Sequence, residues 1–368
     1  MPHRPNAPAS LLAALPPGAR LLLIRLRSLG DTLLTTPALR ALKQWRPDLS
    51  LSVLLYRRFA PILAGNPDVD EVIAFDPAGP ATPLAIAGTL AEIRRRRFAA
   101  CFNLHGGTLS ALLTRLSGAR ERVAFGHFRF RFAYTALAPE PQGVLGRDRL
   151  HNVERLLALF YWAGLPPGEI PPLTVVPQPT ARAAVAQMLA ARGLPPGGRY
   201  AVLHPIANFF TKEWPFERYA ELAHLLEREH GLIPVFTGGT GEGAKLDAVA
   251  RAYGGALVRM ESLTVPELVA LIEGAALFIG NDSGPAHIAA ALGLPVVVLF
   301  GSSDSTAWGP WRTRHVVVQN SYACNPCRGD RCYVFAEPEC ILSISLAQVR
   351  AAVERLLATV PSTLARSG

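Results

Sequence analysis

Apolar runs alternate with helical patterns along almost the whole chain, and this alternation is typical of parallel β-sheets covered by helices. In the first half, the runs predict strands at residues 21–26, 51–56, 71–75, 99–104 and 122–125. The patterns between and after them predict helices over about 32–45, 83–97 and 151–163.

The alternation restarts after a proline-rich stretch, residues 166–179, which can continue neither a helix nor a central strand and therefore predicts a linker. Strands are predicted at residues 200–204, 232–237, 277–280 and 296–300. Helices are predicted at 215–230, about 241–253, 265–273 and 346–358, and a further helix begins near residue 283. The pattern predicts an α/β protein of two doubly wound, Rossmann-like domains facing across a cleft, with ligands at the carboxyl ends of the strands. We expect the domains to span 1–175 and 176–345, followed by a C-terminal helix and tail, 346–368.

Composition narrows the class of protein. Of the 368 residues, 50% are hydrophobic and 18% charged, which excludes disordered and fibrous proteins. The net charge of +9 indicates a partner that carries phosphates or carboxylates, although an arginine-rich composition explains it as well. Aromatic residues do not alternate with basic ones, so we expect no nucleic-acid partner.

The N-terminal residues are interrupted by prolines, and no apolar stretch reaches the length that spans a bilayer. We therefore expect a soluble, cytoplasmic protein that at most touches a membrane surface.

The segment Asn281–His287 connects a predicted strand directly to a predicted helix. Ser283 can cap that helix, Gly284 lets a ligand approach the backbone, and the amides of the first turn form an anion site suited to a diphosphate. An ordinary strand-to-helix junction is the alternative, but it does not explain the added Asp282 and His287.

Polar residues follow three other predicted strands. Lys212 can neutralise a phosphate, with a solvated surface lysine as the alternative. Asp31 can act as a general base, with a helix cap as the alternative. The glycine-rich turn 238–243 is weak evidence by itself, although Glu242 can accept hydrogen bonds from a ribose.

Four cysteines form the pattern C-x2-C-x4-C-x7-C, namely Cys324, Cys327, Cys332 and Cys340. Four thiolates this close in sequence can hold a structural zinc or iron, and reduced, packed thiols are the alternative. Arg129 and Arg131, in the loop after residue 125, are candidates for binding an acidic acceptor, with a solvated face as the alternative.

Three ordered motifs resemble the bacterial ADP-heptose:lipopolysaccharide heptosyltransferases, glycosyltransferase family 9. They are the strand–Ser28-Leu29-Gly30-Asp31–helix segment, His204-Pro205 with Lys212-Glu213-Trp214-Pro215, and Phe278–His287. The resemblance implies a GT-B fold with the acceptor in the N-terminal domain and the nucleotide sugar in the C-terminal domain.

The resemblance also implies roles. Asp31 would be the base of an inverting transfer; Lys212, Asp282, Ser283, Gly284 and His287 would hold the diphosphate and sugar; Glu242 would reach the ribose and Leu263 the adenine. No cofactor would be required for catalysis.

We expect transfer of heptose from ADP-heptose to an acidic lipopolysaccharide core, with peripheral contact at the cytoplasmic face of the inner membrane. A family-9 enzyme with another nucleotide sugar or a protein acceptor, and a non-catalytic nucleotide-binding module, are the alternatives.

Overall fold

The computed structural model describes residues 10–76 and 82–358. The chain divides into two compact units, Met1–Val176 and Pro177–Gly368. The last described helix packs into the core of the second unit through Val349, Ala352, Val353 and Leu356, whereas the sequence pattern predicts a separate C-terminal segment. Residues 359–368 of that predicted tail lie outside the described residues.

The first unit is built on six parallel strands, in the order β3-β2-β1-β4-β5-β6. They are β1 (Arg20–Ile24), β2 (Ser50–Tyr56), β3 (Glu71–Phe75), β4 (Ala100–Asn103), β5 (Glu121–Phe125) and β6 (Ala136–Ala138). Its helices are α1 (Leu29–Leu33), α2 (Thr36–Trp45), α3 (Thr82–Arg95), α4 (Thr108–Leu116), α5 (Pro141–Leu145) and α6 (Asn152–Trp162).

The second unit repeats this arrangement, with six parallel strands in the order β12-β11-β10-β7-β8-β9. They are β7 (Tyr200–His204), β8 (Ile233–Gly238), β9 (Val258–Glu261), β10 (Leu277–Asn281), β11 (Val296–Leu299) and β12 (His315–Val318). Its helices are α7 (Pro179–Ala191), α8 (Phe216–His230), α9 (Gly243–Tyr253), α10 (Val265–Glu273), α11 (Gly284–Ala291), α12 (Ser305–Trp308), α13 (Glu339–Leu342) and α14 (Leu346–Ala358).

The central strands are apolar throughout because both of their faces are covered. All of β7, β10 and β11 is buried, as are the last four residues of β1. Parallel strands covered on both sides read as continuous hydrophobic runs, and this is why the sequence predicts them. The prediction of two doubly wound α/β sheets is confirmed.

The predicted helix over residues 32–45 is in fact two helices. Thr35 occupies the N-cap position of α2, and Pro37 lies in its first turn. Inside a continuous helix Pro37 would lack an amide donor and would clash with the carbonyl four residues earlier, so the chain ends α1 and starts again.

Within the described part of the chain, no helix is both long and apolar enough to cross a membrane.

Candidate functional site

In each sheet the strand order reverses between two central neighbours, β1 and β4 in the first unit and β7 and β10 in the second. Open α/β sheets bind ligands at the carboxyl ends of the strands at such a switch point. Asp31 follows β1, Lys212 follows β7, and Asp282 follows β10. The polar residues predicted from the sequence therefore lie at the switch points of their own units.

Helix α11 begins with amides that no side chain caps. Ser283 occupies the N-cap position, but its hydroxyl donates to the carbonyl of Asn281 (3.1 Å) and makes no cap bond to the helix amides. The prediction that Ser283 caps the helix is therefore wrong. The start of α11 is therefore left without a side-chain cap, and such a helix start, with Gly284 allowing close approach, can bind an anion.

Lys212 and Asp282 form an ion pair beside this helix end. The Nζ of Lys212 lies 2.8 Å from Oδ2 of Asp282. The Asp282 side chain is 7% exposed and that of Lys212 21%. Because the lysine is the more accessible partner, it can turn to a bound phosphate while the carboxylate stays in place.

Asn281 holds the two halves of this site together, although the sequence assigned it no role. Its amide nitrogen donates to the carbonyl of Pro205 (2.7 Å). Its oxygen accepts from the Trp214 amide (3.2 Å) and the Tyr219 hydroxyl (3.1 Å). Asn281 is fully buried, so these bonds fix the segment after β7 against the end of β10.

Two histidines of the second unit lie in this region. His287 is buried in the first turn of α11. Burial lowers the pKa of His204 to about 4, and its Nδ1 hydrogen-bonds the Thr237 carbonyl over 3.0 Å. His204 is therefore neutral at physiological pH and shapes the end of β7.

Glu242 and Leu263 follow the next strands of the same sheet, β8 and β9. Glu242 occupies the N-cap position of α9, and its carboxylate accepts the Gly239 amide hydrogen (2.5 Å). Leu263 is half-buried after β9. Both side chains are at the same edge of the sheet as Lys212, and Glu242 also stabilises its own turn.

Asp31 is the third residue of α1 and has several partners. Its Oδ2 accepts hydrogen bonds from the Ser28 amide (3.1 Å) and hydroxyl (3.0 Å), and its Oδ1 pairs with the Arg25 guanidinium. Burial by itself raises the pKa of Asp31, but Arg25 and the bonds from Ser28 outweigh burial and hold this pKa below its usual value. Asp31 is thus an ionised carboxylate that belongs to a capping box, with Ser28 rather than Asp31 at the N-cap.

His105 completes the first switch point and was not singled out from the sequence. It follows β4, and the residue before it accepts a hydrogen bond from Arg25 through its carbonyl. Burial, Arg25 and Arg27 lower the pKa of His105 to about 4, so its imidazole is neutral. The signal in the sequence is a histidine and two glycines directly after an apolar strand.

Arg129 and Arg131 lie exposed in the loop after β5, the strand beside β4. Arg129 lies over the Phe130 ring, 5.8 Å from its centroid. In the same loop Phe128 packs on Gly106, where a Cβ would come within 2.9 Å of the ring. This loop therefore abuts the turn that carries His105, and its arginines lie at the same edge of the sheet as Asp31.

The four cysteines line one small cavity, together with Thr211 and Ser302. Cys340 is buried, Cys327 is exposed, and the Cys332 sulfur accepts from the Phe335 amide (3.4 Å). Among the described residues, no three His, Cys, Asp or Glu side chains are arranged to hold a metal ion. The structure therefore does not support the predicted zinc or iron site.

Comparison with known proteins adds independent findings. The family model for glycosyltransferase family 9 (heptosyltransferase) matches residues 89–335. Lipopolysaccharide heptosyltransferase 3 of Escherichia coli is 31% identical over 349 residues, which cover 89% of this chain and 96% of that protein.

Two solved structures share the fold. The family 9 glycosyltransferase from Veillonella parvula superposes with a TM-score of 0.82 at 23% identity, covering 94% of this chain and 99% of that one. The E. coli ADP-heptose lipopolysaccharide heptosyltransferase II superposes with a TM-score of 0.75 at 21% identity, covering 92% and 98%. The predicted GT-B fold is confirmed.

Proposed function

The chain belongs to glycosyltransferase family 9, the heptosyltransferases, and on that premise we propose that it transfers heptose from ADP-heptose to the core of lipopolysaccharide with inversion at the anomeric carbon. The observation that carries this proposal is the anion site of the second unit, where Lys212 lies beside the uncapped start of α11. The E. coli relative of 31% identity is itself a lipopolysaccharide heptosyltransferase.

In the donor site, the first-turn amides at Ser283 and Gly284 and the ammonium of Lys212 bind the two phosphates of ADP. Asp282 holds Lys212 in place before the donor binds and, with His287, borders the sugar. Glu242 accepts from the ribose, and Leu263 contacts the adenine. As ADP leaves, negative charge grows on its terminal phosphate, and Lys212 and the helix end stabilise that charge.

In the acceptor site, Asp31 takes the proton from the attacking hydroxyl. The acceptor oxygen forms a bond to the anomeric carbon while the bond from that carbon to the phosphate oxygen breaks, so ADP departs and the configuration inverts. The bond from Arg25 and the two from Ser28 aim the Asp31 carboxylate. Because Lys212 and the helix end supply the positive charge, the reaction requires no divalent ion.

The acidic groups of the lipopolysaccharide core bind to Arg129 and Arg131. The neighbouring Phe132 is 71% exposed, and Leu112 on the adjacent helix α4 is 44% exposed. Exposed apolar side chains beside arginines favour peripheral contact with an anionic membrane. This contact would take place at the cytoplasmic face of the inner membrane.

Calorimetric titration with ADP, UDP and GDP, followed by transfer assays with the matching sugar nucleotides, tests the donor. The proposal expects ADP to bind most tightly and ADP-heptose to add one heptose to O-deacylated lipopolysaccharide. Preference for UDP or GDP would point to another nucleotide sugar, and transfer to a protein would replace the acceptor. Tight ADP binding without transfer to any acceptor would favour a non-catalytic nucleotide-binding module.

A further inference from the structure

The turn His105–Gly107 lies directly beside Asp31 at the switch point of the first unit. Strands β1 and β4 are parallel neighbours in which Ile24 is opposite Asn103. Arg25, the residue after Ile24, donates to both the Leu104 carbonyl and the Asp31 carboxylate. His105 is the next residue along, so one arginine joins its turn to the candidate base.

A buried polar network fixes the backbone of this turn. The side-chain oxygen of Asn103 accepts the amide hydrogens of His105 (2.9 Å) and Gly106 (3.0 Å). Its amide nitrogen lies within hydrogen-bond distance of three hydroxyls, those of Ser110 (3.2 Å), Thr114 (3.2 Å) and Tyr134 (3.1 Å). Asn103 is fully buried and satisfied at both ends, and a satisfied network of this kind holds a turn in one conformation.

The glycines and Phe128 determine where the imidazole of His105 lies. Gly106 has a φ of +76°, which favours glycine, and Phe128 packs on it. On the other side, a Cβ on Gly107 would lie 3.2 Å from Cδ2 of His105, so the ring rests against this glycine. The backbone of His105 is therefore fixed while its side chain is only half-buried.

The ring nitrogens of His105 form no hydrogen bond to any residue that the structure describes. A neutral imidazole has one nitrogen that donates and one that accepts. Arg25, Arg27 and Asp31 all act electrostatically on this neutral imidazole, and Arg25 is itself paired with Asp31. A neutral imidazole is a better hydrogen-bond partner for an uncharged hydroxyl than for an anionic group.

We propose that His105 is an acceptor-binding residue, whose imidazole hydrogen-bonds a hydroxyl of the acceptor sugar and thereby presents the attacking hydroxyl to Asp31. This inference rests on the proposed glycosyl transfer and names a group for the acceptor side of the same site. Asn103, which does not reach the ligand, acts through His105 and is a positioning residue.

The test compares His105→Ala and His105→Gln with a control, His315→Ala, which removes an exposed histidine at the start of β12, the opposite edge of the second sheet from the residues after β7 and β10. Transfer from ADP-heptose is measured at varied concentrations of O-deacylated lipopolysaccharide from E. coli lacking heptosyltransferase 3. We expect kcat/KM for this acceptor to fall about tenfold or more in His105→Ala, the effect of one lost hydrogen bond with a partner left unsatisfied. His105→Gln should recover most of it, because an amide also donates and accepts.

Three controls separate binding of the acceptor from general damage. The Kd for ADP and the Tm of all three variants should match the wild type, and His315→Ala should keep full kcat/KM. Wild-type kcat/KM in His105→Ala, or no recovery in His105→Gln, would overturn the inference. A lower ADP affinity or a lower Tm in His105→Ala would also overturn the inference, because it would indicate a structural role for His105.

The inference and the proposed function fail in different ways. If the wild type transfers heptose, Asp31→Asn does not, and His105→Ala does so normally, only the role of His105 is wrong. If the wild type transfers heptose to no acceptor at all, both are wrong.

Discussion

The ion pair between Lys212 and Asp282 should make Lys212, which we propose binds the donor, measurably important for stability. The Asp282 side chain is 7% exposed and 2.8 Å from the lysine, so Lys212→Met strands a buried carboxylate. Breaking a buried pair from one side typically costs about 3–5 kcal/mol. For a unit of this size each kcal/mol corresponds to about 2–4 °C, so we expect the Tm of the second unit to fall by about 6–20 °C.

The partner substitution should behave differently, which makes the pair suitable for a double-mutant cycle. In Asp282→Asn the remaining Lys212, 21% exposed, can reach water, so a loss of only about 1 kcal/mol is expected. The double variant should be more stable than Lys212→Met alone, since no buried charge is left unpaired. Lys212→Met should also weaken ADP binding by about tenfold or more, the effect of a lost charge-assisted hydrogen bond. Asp282→Asn should weaken it less, because the lysine that binds the phosphates is kept.

Scanning calorimetry and ADP titration measure these quantities on the same samples. Arg182→Met is the control, because it breaks an ion pair of the second unit in which the side chains are 50% and 30% exposed, and it should cost less than about 1 kcal/mol. A Lys212→Met variant as stable as the wild type would refute the reasoning. So would a double variant whose loss equals the sum of the single losses.

Three other outcomes are expected. Asn103→Ala should lower both the calorimetric Tm of the first unit and the kcat/KM for the acceptor, because it removes the hydrogen bonds to the His105 and Gly106 amides. If neither the Tm nor the kcat/KM changes, the role of Asn103 is contradicted. The pKa of His204 is about 4 in the folded protein and near 6.5 in the unfolded chain, so on acidification the unfolded state binds the proton first. Lowering the pH from 7 to 5 should therefore reduce the free energy of unfolding by about 2 kcal/mol through this histidine. Calorimetry of the second unit at both pH values measures this loss, and His204→Asn should make it smaller. The double variant Phe132→Ser, Arg131→Ser should sediment with anionic phospholipid vesicles severalfold less than the wild type. Leu84→Ser, which alters another exposed apolar side chain, should sediment as the wild type does. Equal sedimentation of all variants would argue against membrane contact through Arg131 and Phe132.

The sequence predicts the central strands and the residues directly after them. Strands β7, β10 and β11 are recognisable because burial on both faces makes them uniformly apolar. Since parallel strands bring their carboxyl ends to one edge, the sequence alone places Lys212 and Asp282 at the same edge of the sheet. Their 2.8 Å ion pair could not be predicted, because it depends on the path of the segment after β7.

The parts that the sequence does not predict depend on tertiary contacts. The outer strands β6, β9 and β12 have three or four residues each and are only partly buried, unlike the equally short but fully buried β11, so no continuous buried run marks them. His105 belongs to the site because Arg25 reaches across from the neighbouring strand, which no local pattern shows. The hydroxyl of Ser283 turns to the Asn281 carbonyl instead of the helix amides, a choice between two nearby partners that residue type does not decide.

The central claim is that Asp31 deprotonates the acceptor while the second unit holds the donor, and one measurement tests it directly. Wild-type protein and Asp31→Asn are incubated with ADP-heptose and O-deacylated lipopolysaccharide, product is measured by mass spectrometry, and ADP affinity by calorimetry. We predict a gain of one heptose with the wild type, a rate at least about a hundredfold lower with Asp31→Asn, and the same ADP affinity in both. Transfer by Asp31→Asn at the wild-type rate would contradict the account.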